Sequence, residues 1–225
     1  MVDFSPARLK IRRAYQHLDE LKAIITAYLA ENPIDEKPST AVHEGHQVSS
    51  VKFKINALPD IVPAVIGDVI HNARVALDAV AGSMAEAEGK NPKNVYFPFS
   101  ENAGVLDDRV KQTKFYFCGQ DAVDFLKTLK PYKGGNDDLR GLHDLDNVDK
   151  HQGLLADATY GIAVHPSNPF FRAHVYDPRQ PVAIVTVQFP PIDPFKGRDL
   201  LPCLKGLVEL SESVVEAFIA LKKKP

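Results

Sequence analysis

Two short stretches of this chain bring together side chains that can transfer protons or bind ions. Residues 66–80 read IGDVIHNARVALDAV, an apolar run interrupted by imidazole, amide, guanidinium and carboxylate groups. Residues 142–152 read LHDLDNVDKHQ, with two histidines among three aspartates. A carboxylate beside a histidine fixes the tautomer of the ring and raises its basicity. Both stretches are therefore candidates for general acid–base chemistry or for ion binding.

Helical spacing puts the polar groups of the first stretch on one line. Residues three or four positions apart share a helix face, and this line reads Gly67, His71, Arg74, Asp78 and Gly82. A helix face in water usually carries Lys and Glu, and a glycine in a helix interior costs about 1 kcal/mol relative to alanine. The line therefore predicts that a ligand or another backbone approaches closely. A solvated polar face is the alternative.

The second stretch predicts a matching face, provided that its helix is continuous. His151 lies roughly a quarter turn away from that face. We predict that the two faces pack against each other and bring His71 close to Asp146 or Lys150. The members of the second face are His143, Asp146 or Asn147, and Lys150.

Three functions fit a polar cluster between two helices, and we favour a binding or assembly module without a cofactor. In such a module Asp78 and Asp149 belong to a structural polar network, which must be fully satisfied because unpaired buried polar groups are costly. We also predict that Asp78 bridges to Arg74, one turn earlier on the helix. The binding residues are then Asn72, Asp146 and Asn147.

The two alternative functions use the same cluster chemically. In a nuclease-like or other hydrolase, His71 or His151 is the general base or acid. Arg74 and Lys150 then hold an anionic group. The candidate catalytic residues are His71, Arg74, His143, Lys150 and His151. The second alternative is a Zn, Mn or Fe site, because imidazole and carboxylate ligands suit these metals. Its candidate ligands are His71, Asp78, His143 and His151.

In order and spacing, these segments resemble a family of bacterial and phage-borne proteins. The segments that carry the resemblance are GDVIHNARVALD, YFPFS, LKPY and LHDLDNVDKHQ, within residues 67–155. The resemblance implies no established activity. The chain departs from the family pattern at Ala79, where the family often has histidine, and at Gln152, where it often has arginine. A mechanism that needs either of those residues is in doubt for this chain.

A weaker likeness is to the HEPN-type helical ribonucleases. Those proteins are helical dimers with an arginine and a histidine about four to six residues apart near a helix. The chain has no such pair, because Arg140 and His143 are closer together and Lys150–His151 offers only a neighbouring cation. The likeness generates the nuclease-like hypothesis.

Composition narrows the class of partner. The chain has 225 residues and a net charge of −2. That charge does not indicate a nucleic-acid-binding protein, although a local basic patch is compatible with it. No apolar run approaches the roughly 20 residues of a membrane span, and the N-terminus has no signal-peptide core. We therefore expect a cytoplasmic protein with no membrane partner. The partner itself is not specified, and self-association is one candidate.

The elements that must position the two stretches are mostly helices. Apolar spacing predicts helices at about 5–32, 63–86, 102–116, 120–130, 137–158 and 198–223. β-rich runs predict strands at about 46–57, 160–165, 170–176 and 182–189, and the polar residues 33–46 predict a loop. Short connections between the last three strands predict an antiparallel meander. The predicted fold class is α+β, a single domain over residues 1–225 with a helical bundle packed against a small antiparallel β-sheet.

Overall fold

Helices dominate the part of the chain that the computed structural model describes, which is residues 2–31, 34–43, 46–152, 157–162, 183–189 and 192–222. The helices in these ranges are α1 Ser5–Ala30, α2 Ile61–Ala87, α3 Leu106–Gln112, α4 Gln120–Leu129, α5 Asp137–Gln152 and α6 Leu200–Lys222. Helices α1, α2 and α6 pack against one another, and α5 lies against α2. With the small antiparallel sheets described below, this arrangement confirms the predicted α+β class.

Helix α2 is the centre of the bundle. It buries 16 of its 27 residues, so apolar and small side chains occupy most of its circumference. Helix α1 instead buries a single stripe that runs from Ala7 to Tyr28 at helical spacing. The Tyr28 hydroxyl donates a hydrogen bond to the Asn56 carbonyl at 2.7 Å and so ties the end of α1 to the segment that leads into α2. None of the helices in the described ranges, α2 included, has the length and apolar character that crossing a membrane requires.

Two antiparallel strand pairs accompany the helices. Strand β1, Ile34–His43, pairs along its whole length with β2, His46–Ile55. Strand β3, Asp157–Ile162, pairs with β4, Ala183–Gln188. The end of β4 enters the core, because Val187 and the following Phe189 are buried. The strand predicted at 170–176 lies outside the described residues.

The predicted loop over residues 33–46 is wrong, because most of it forms β1. Pro38 and the polar composition indicated a loop. In a two-stranded hairpin, however, both strands are edges, where proline is tolerated. The pairing of β1 with β2 therefore overrides the local composition.

Two predicted helix boundaries are also wrong. The helix expected over 102–116 is divided into a 3-10 turn, the short α3 and a second 3-10 turn at Phe115–Cys118. Lys114, with φ 53°, takes the left-handed conformation between the last two, which interrupts any regular helix. The helix expected over 137–158 is described as α5 over Asp137–Gln152, and Asp157 already lies in β3, before the strand predicted at 160–165.

Candidate functional site

The two polar stretches meet where α5 lies against α2. His71 Nδ1 is 3.0 Å from Asp146 Oδ1, which confirms the predicted approach of His71 to the second stretch. The Asp146 side chain is 5% exposed, whereas the His71 side chain is 45% exposed. Helix α5 is continuous through this contact, and its start is fixed by Asn136, whose side-chain oxygen accepts the Leu139 N–H at 3.0 Å.

Asp146 holds two side chains at once. Its Oδ2 accepts a hydrogen bond from Lys150 Nζ at 2.5 Å, while its Oδ1 faces His71. Burial acts to raise the pKa of Asp146, but hydrogen bonds from Lys150 and His71, together with their charges, outweigh it and lower the pKa. An ionised carboxylate can only accept, so the ring proton of His71 is on Nδ1. In the neutral ring, Nε2 of His71 is then an acceptor, and no other group in the described ranges bonds to it.

Asp149 adds uncompensated negative charge beside this pair. Burial raises the pKa of Asp149, and the charges of Asp146 and Asp68 raise it further. Lys150, and His71 in its protonated form, only partly offset these effects. The pKa of Asp146 therefore falls while that of Asp149 rises, although the two side chains are less than one helical turn apart.

Of the two glycines in the predicted polar line, only Gly67 marks a close approach. A Cβ atom built on Gly67 would lie 2.5 Å from Asp149 Oδ2, so glycine lets the α5 carboxylate rest directly on α2. A Cβ built on Gly82 would meet Pro92 at 3.7 Å, an ordinary van der Waals contact. The expectation of a close approach at Gly82 is therefore wrong.

Arg74 and Asp78 form the predicted bridge, and their side chains are more buried than that of His71. Arg74 Nη1 lies 2.8 Å from Asp78 Oδ1, with side-chain exposures of 10% and 23%. The N–H is not aligned with that oxygen, so the contact is an ion pair without a hydrogen bond. Asp78 Oδ1 also accepts the Phe97 N–H at 2.8 Å. The guanidinium carbon sits 4.6 Å from the centre of the Phe99 ring, a cation–π contact. Asp78 and Arg74 thus tie α2 to the segment that follows it.

His143 is enclosed by this buried group. Its ring stacks on Phe99 with centroids 4.7 Å apart and planes 4° from parallel. Burial lowers the pKa of His143 to about 4, and the positive charges of Arg74 and Arg140 add to the shift, so the ring is neutral at pH 7. Arg74 Nε donates to His143 Nδ1 at 3.4 Å, so the ring proton must be on Nε2. The Asn147 amide, 3.2 Å from Nε2, satisfies that proton when its oxygen faces the ring.

One predicted member of the site, Asn72, stands apart from the contact between α2 and α5. Asn72 is buried, but its amide donates to the Asp68 carbonyl of its own helix at 2.9 Å. The Asn72 oxygen faces α1, 3.5 Å from Lys10 Nζ. The side chain of His151 lies outside the described residues. Among the residues that are described, no three or more His, Cys, Asp or Glu side chains are arranged to hold a metal ion.

Two residues near the buried Arg74, Asp78 and His143 were not predicted from the sequence. Phe99 belongs to YFPFS, whose apolar letters indicate packing but not a stack on His143. Arg140 is also buried. It donates from Nη2 to Glu101 Oε1 at 2.5 Å, and its Nη1 lies 2.8 Å from Asp144 Oδ1. The spacing of Arg140 and Asp144 by four residues was a usable signal, whereas the contact with Glu101 joins distant parts of the chain and left none.

The polar cluster therefore has two parts, which we name by position. The outer half consists of Asp68, His71, Asp146, Asp149 and Lys150. The inner half consists of Arg74, Asp78, His143 and Asn147. In the outer half, His71 and Lys150 keep 45% and 49% of their side-chain exposure. A cavity of about 990 Å³ lies elsewhere, between the start of α1 and the C-terminal half of α6. The chain matches none of the protein-family models, curated proteins or solved structures with which it was compared.

Proposed function

We propose that this protein is a binding module whose outer half docks a positively charged group of a partner protein. The observation that carries the proposal is the orientation of His71. Buried Asp146 holds Nδ1 at 3.0 Å, which leaves Nε2 of the neutral ring as an acceptor on a half-exposed side chain. A ring held in one orientation loses little side-chain entropy when a ligand donates to it.

The charge of the outer half selects the kind of ligand. Three carboxylates, those of Asp68, Asp146 and Asp149, outnumber the two nearby ammonium groups. One of these, Lys150, is bound to Asp146, and the other, Lys10, is 3.5 Å from Asn72. Burial, together with the charges of Asp146 and Asp68, raises the pKa of Asp149, so the protein only partly stabilises its negative charge. A guanidinium or ammonium group would supply a counterion and donate hydrogen bonds to the open acceptors.

The inner half serves as the scaffold for this surface. Arg74 is paired with Asp78 and lies on Phe99, and His143 is neutral and engaged at both ring nitrogens. These contacts inside the protein hold α5 against α2 and keep the outer side chains in place. This division supports a module in which recognition and architecture use different residues of one cluster.

A peptide titration followed by NMR tests the proposal. The probes are a blocked peptide of four arginines and a blocked peptide of four glutamates. We expect the arginine peptide to give saturable shifts of the His71 ring signals and of the Asp149 and Lys150 amides. We expect the glutamate peptide to leave these signals in place.

The Asp149→Asn variant makes the titration specific. It keeps the shape of the side chain and removes the charge, and we expect it to weaken binding of the arginine peptide by about tenfold. Asp121→Asn, at an exposed position of α4, is the matched control and is expected to bind like wild type. Equal weakening by both variants, or shifts caused by the glutamate peptide alone, would contradict the proposal. Sedimentation velocity at two protein concentrations then tests whether a second copy of the chain is the partner.

A second candidate function is favoured by the same Nε2 atom. A histidine held by a buried carboxylate, with its other nitrogen open, is also the arrangement of a general base. The nuclease-like or hydrolytic hypothesis predicts turnover of a generic phosphodiester or ester, such as bis-p-nitrophenyl phosphate or p-nitrophenyl acetate. It also predicts that His71→Ala lowers that rate by at least about 100-fold. A wild-type protein with no turnover above buffer leaves only the binding function.

Membership of the bacterial and phage-borne family is also a proposal. Its support is that the two motif segments, which are distant in sequence, lie on α2 and α5 and contact each other through His71 and Asp146. The structure of a family member tests it. The same imidazole–carboxylate contact between the corresponding helices is expected, and its absence would contradict the membership.

A further inference from the structure

A second surface of the molecule combines positive charge with exposed aromatic rings. Residues 89–96 and 109–117 contain five basic side chains and no Asp or Glu. The five are Lys90, Lys93, Arg109, Lys111 and Lys114. Because the whole chain has a net charge of −2, this concentration of positive charge is a local property.

The fold brings these two segments together. The Tyr96 N–H donates to the Thr113 carbonyl at 3.0 Å, so the loop after α2 runs beside the end of α3. Val95 and Phe97, on either side of Tyr96, are buried, which turns the Tyr96 ring outward with 49% exposure. Tyr116, just beyond the α3 end, is 50% exposed. We call this surface the Tyr96–Tyr116 patch.

Most of the positive charge of the patch is uncompensated. In the described ranges, Lys90, Lys93 and Lys114 make no side-chain ion pair or hydrogen bond. Arg109 donates only to the neutral Gln112 side chain. Lys111, which pairs with Asp108 at 3.3 Å, is the exception.

We propose that the Tyr96–Tyr116 patch binds single-stranded nucleic acid. Exposed rings give unpaired bases a surface on which to stack, and free lysines contact the phosphates. The interaction is tolerant of sequence, because every base has a face that stacks while lysine reads only charge. A duplex keeps its bases paired and stacked on one another, so it offers the rings little to bind. This inference rests on different residues from the proposed outer-half function, and either can fail alone.

Fluorescence anisotropy with labelled twelve-nucleotide oligothymidine and a labelled duplex of equal length tests the proposal at low salt. We expect the single strand to bind more tightly than the duplex. The logarithm of its binding constant should fall linearly with the logarithm of the salt concentration. Tyr96→Ala and Tyr116→Ala are each expected to weaken binding by about tenfold, because each removes the ring on which one base stacks. The triple change of Lys90, Lys93 and Lys114 to Gln is expected to lower the salt slope by about 0.7 for each phosphate that the variant no longer neutralises.

A matched variant separates the patch from general charge. Lys22, Lys130 and Lys196 are exposed elsewhere, and changing all three to Gln removes the same charge. We expect that control to keep the affinity and slope of wild type within about twofold. Because both tyrosines are half exposed, their variants should fold, which circular dichroism verifies. The proposal is overturned if wild type does not bind the single strand, or if the control weakens binding as much as the patch variants. It is also overturned if the patch variants lose binding to phosphatidylserine vesicles but keep binding to the single strand.

Discussion

The inner and outer halves of the cluster use the same residue types on the same two helices, yet they differ in what surrounds them. In the inner half, Arg74 is 10% exposed and His143 has its pKa lowered to about 4. In the outer half, His71 and Lys150 are about half exposed around one buried carboxylate. Both halves contain a histidine near an aspartate and a cation.

This difference shows that residue type and spacing do not determine a role by themselves. The inner histidine is enclosed by aromatic and cationic neighbours, so it is neutral and has both ring nitrogens occupied. The outer histidine, His71, has one nitrogen held and one open. The comparison predicts large stability effects for changes in the inner half and small ones in the outer half.

The largest effect expected is a pH dependence that comes from His143. Its folded pKa, about 4, is below the value of about 6.5 for the unfolded chain, so the unfolded state binds more protons between these values. Stability therefore falls as pH drops from 6.5 to 4, by about 3 kcal/mol from this residue alone. His143→Gln should flatten the dependence. Urea unfolding of both proteins across that range measures it, and equal slopes would contradict the lowered pKa.

The next effect concerns the charge of Asp78. Asp78→Asn keeps an oxygen for the Phe97 N–H but leaves the Arg74 guanidinium without its counterion. We expect a loss of about 2 kcal/mol in the free energy of unfolding, less than for a fully buried pair because Asp78 is 23% exposed. Chemical denaturation measures the change. Wild-type stability would mean that Asp78 is not structural and would make it the first functional carboxylate to test.

The two glycines sharpen the comparison, because they share one helix but differ in their neighbours. Gly82→Ala has room beside Pro92 and should raise stability by up to about 1 kcal/mol, the helix-propensity gain. Gly67→Ala gains the same but must displace the Asp149 carboxylate, and we expect a net loss of about 1 kcal/mol. Thermal unfolding of the pair measures the difference. If both variants were stabilised equally, the close approach of α5 would not constrain α2.

The smallest stability effects are expected for the exposed members of the outer half. Lys150→Ala removes an ion pair of the i,i+4 type, and His71→Ala removes a half-exposed ring. Each should cost less than about 1 kcal/mol, because such pairs are weak in water. His71→Ala should also reduce arginine-peptide binding, because it removes the Nε2 acceptor, whereas Lys150→Ala removes a competing cation and should not reduce it. A loss above about 2 kcal/mol for either would show that the outer half is also architecture.

Much of this cluster followed from sequence because helical spacing reports which side chains share a face. It predicted the contact of His71 with Asp146 and the bridge from Arg74 to Asp78. Helical spacing could not distinguish His71 from His143, because the burial of His143 depends on Phe99, which is distant in sequence. Asn72 was predicted as a binding residue of the cluster, but its side chain contacts its own helix and α1 instead.

The fold shows a similar division. Long helices with regular apolar spacing, such as α1 and α2, were predicted within a few residues of their observed ends. Strand β1 was missed because most of its ten residues are polar and one is Pro38, and its structure depends on pairing with β2. The break at Lys114 was missed because no glycine announces the left-handed turn there.

The stack of His143 on Phe99 has a consequence for spectroscopy. The carbon-bound protons of the imidazole ring lie near the face of the phenyl ring, with centroids 4.7 Å apart. Circulating π-electrons shield protons in that position, so the His143 resonances should appear upfield of those of the exposed histidines. Undocking α5 would return them to ordinary frequencies. The chemical shifts of His143 therefore report whether α5 is docked against Phe99 in the segment that follows α2.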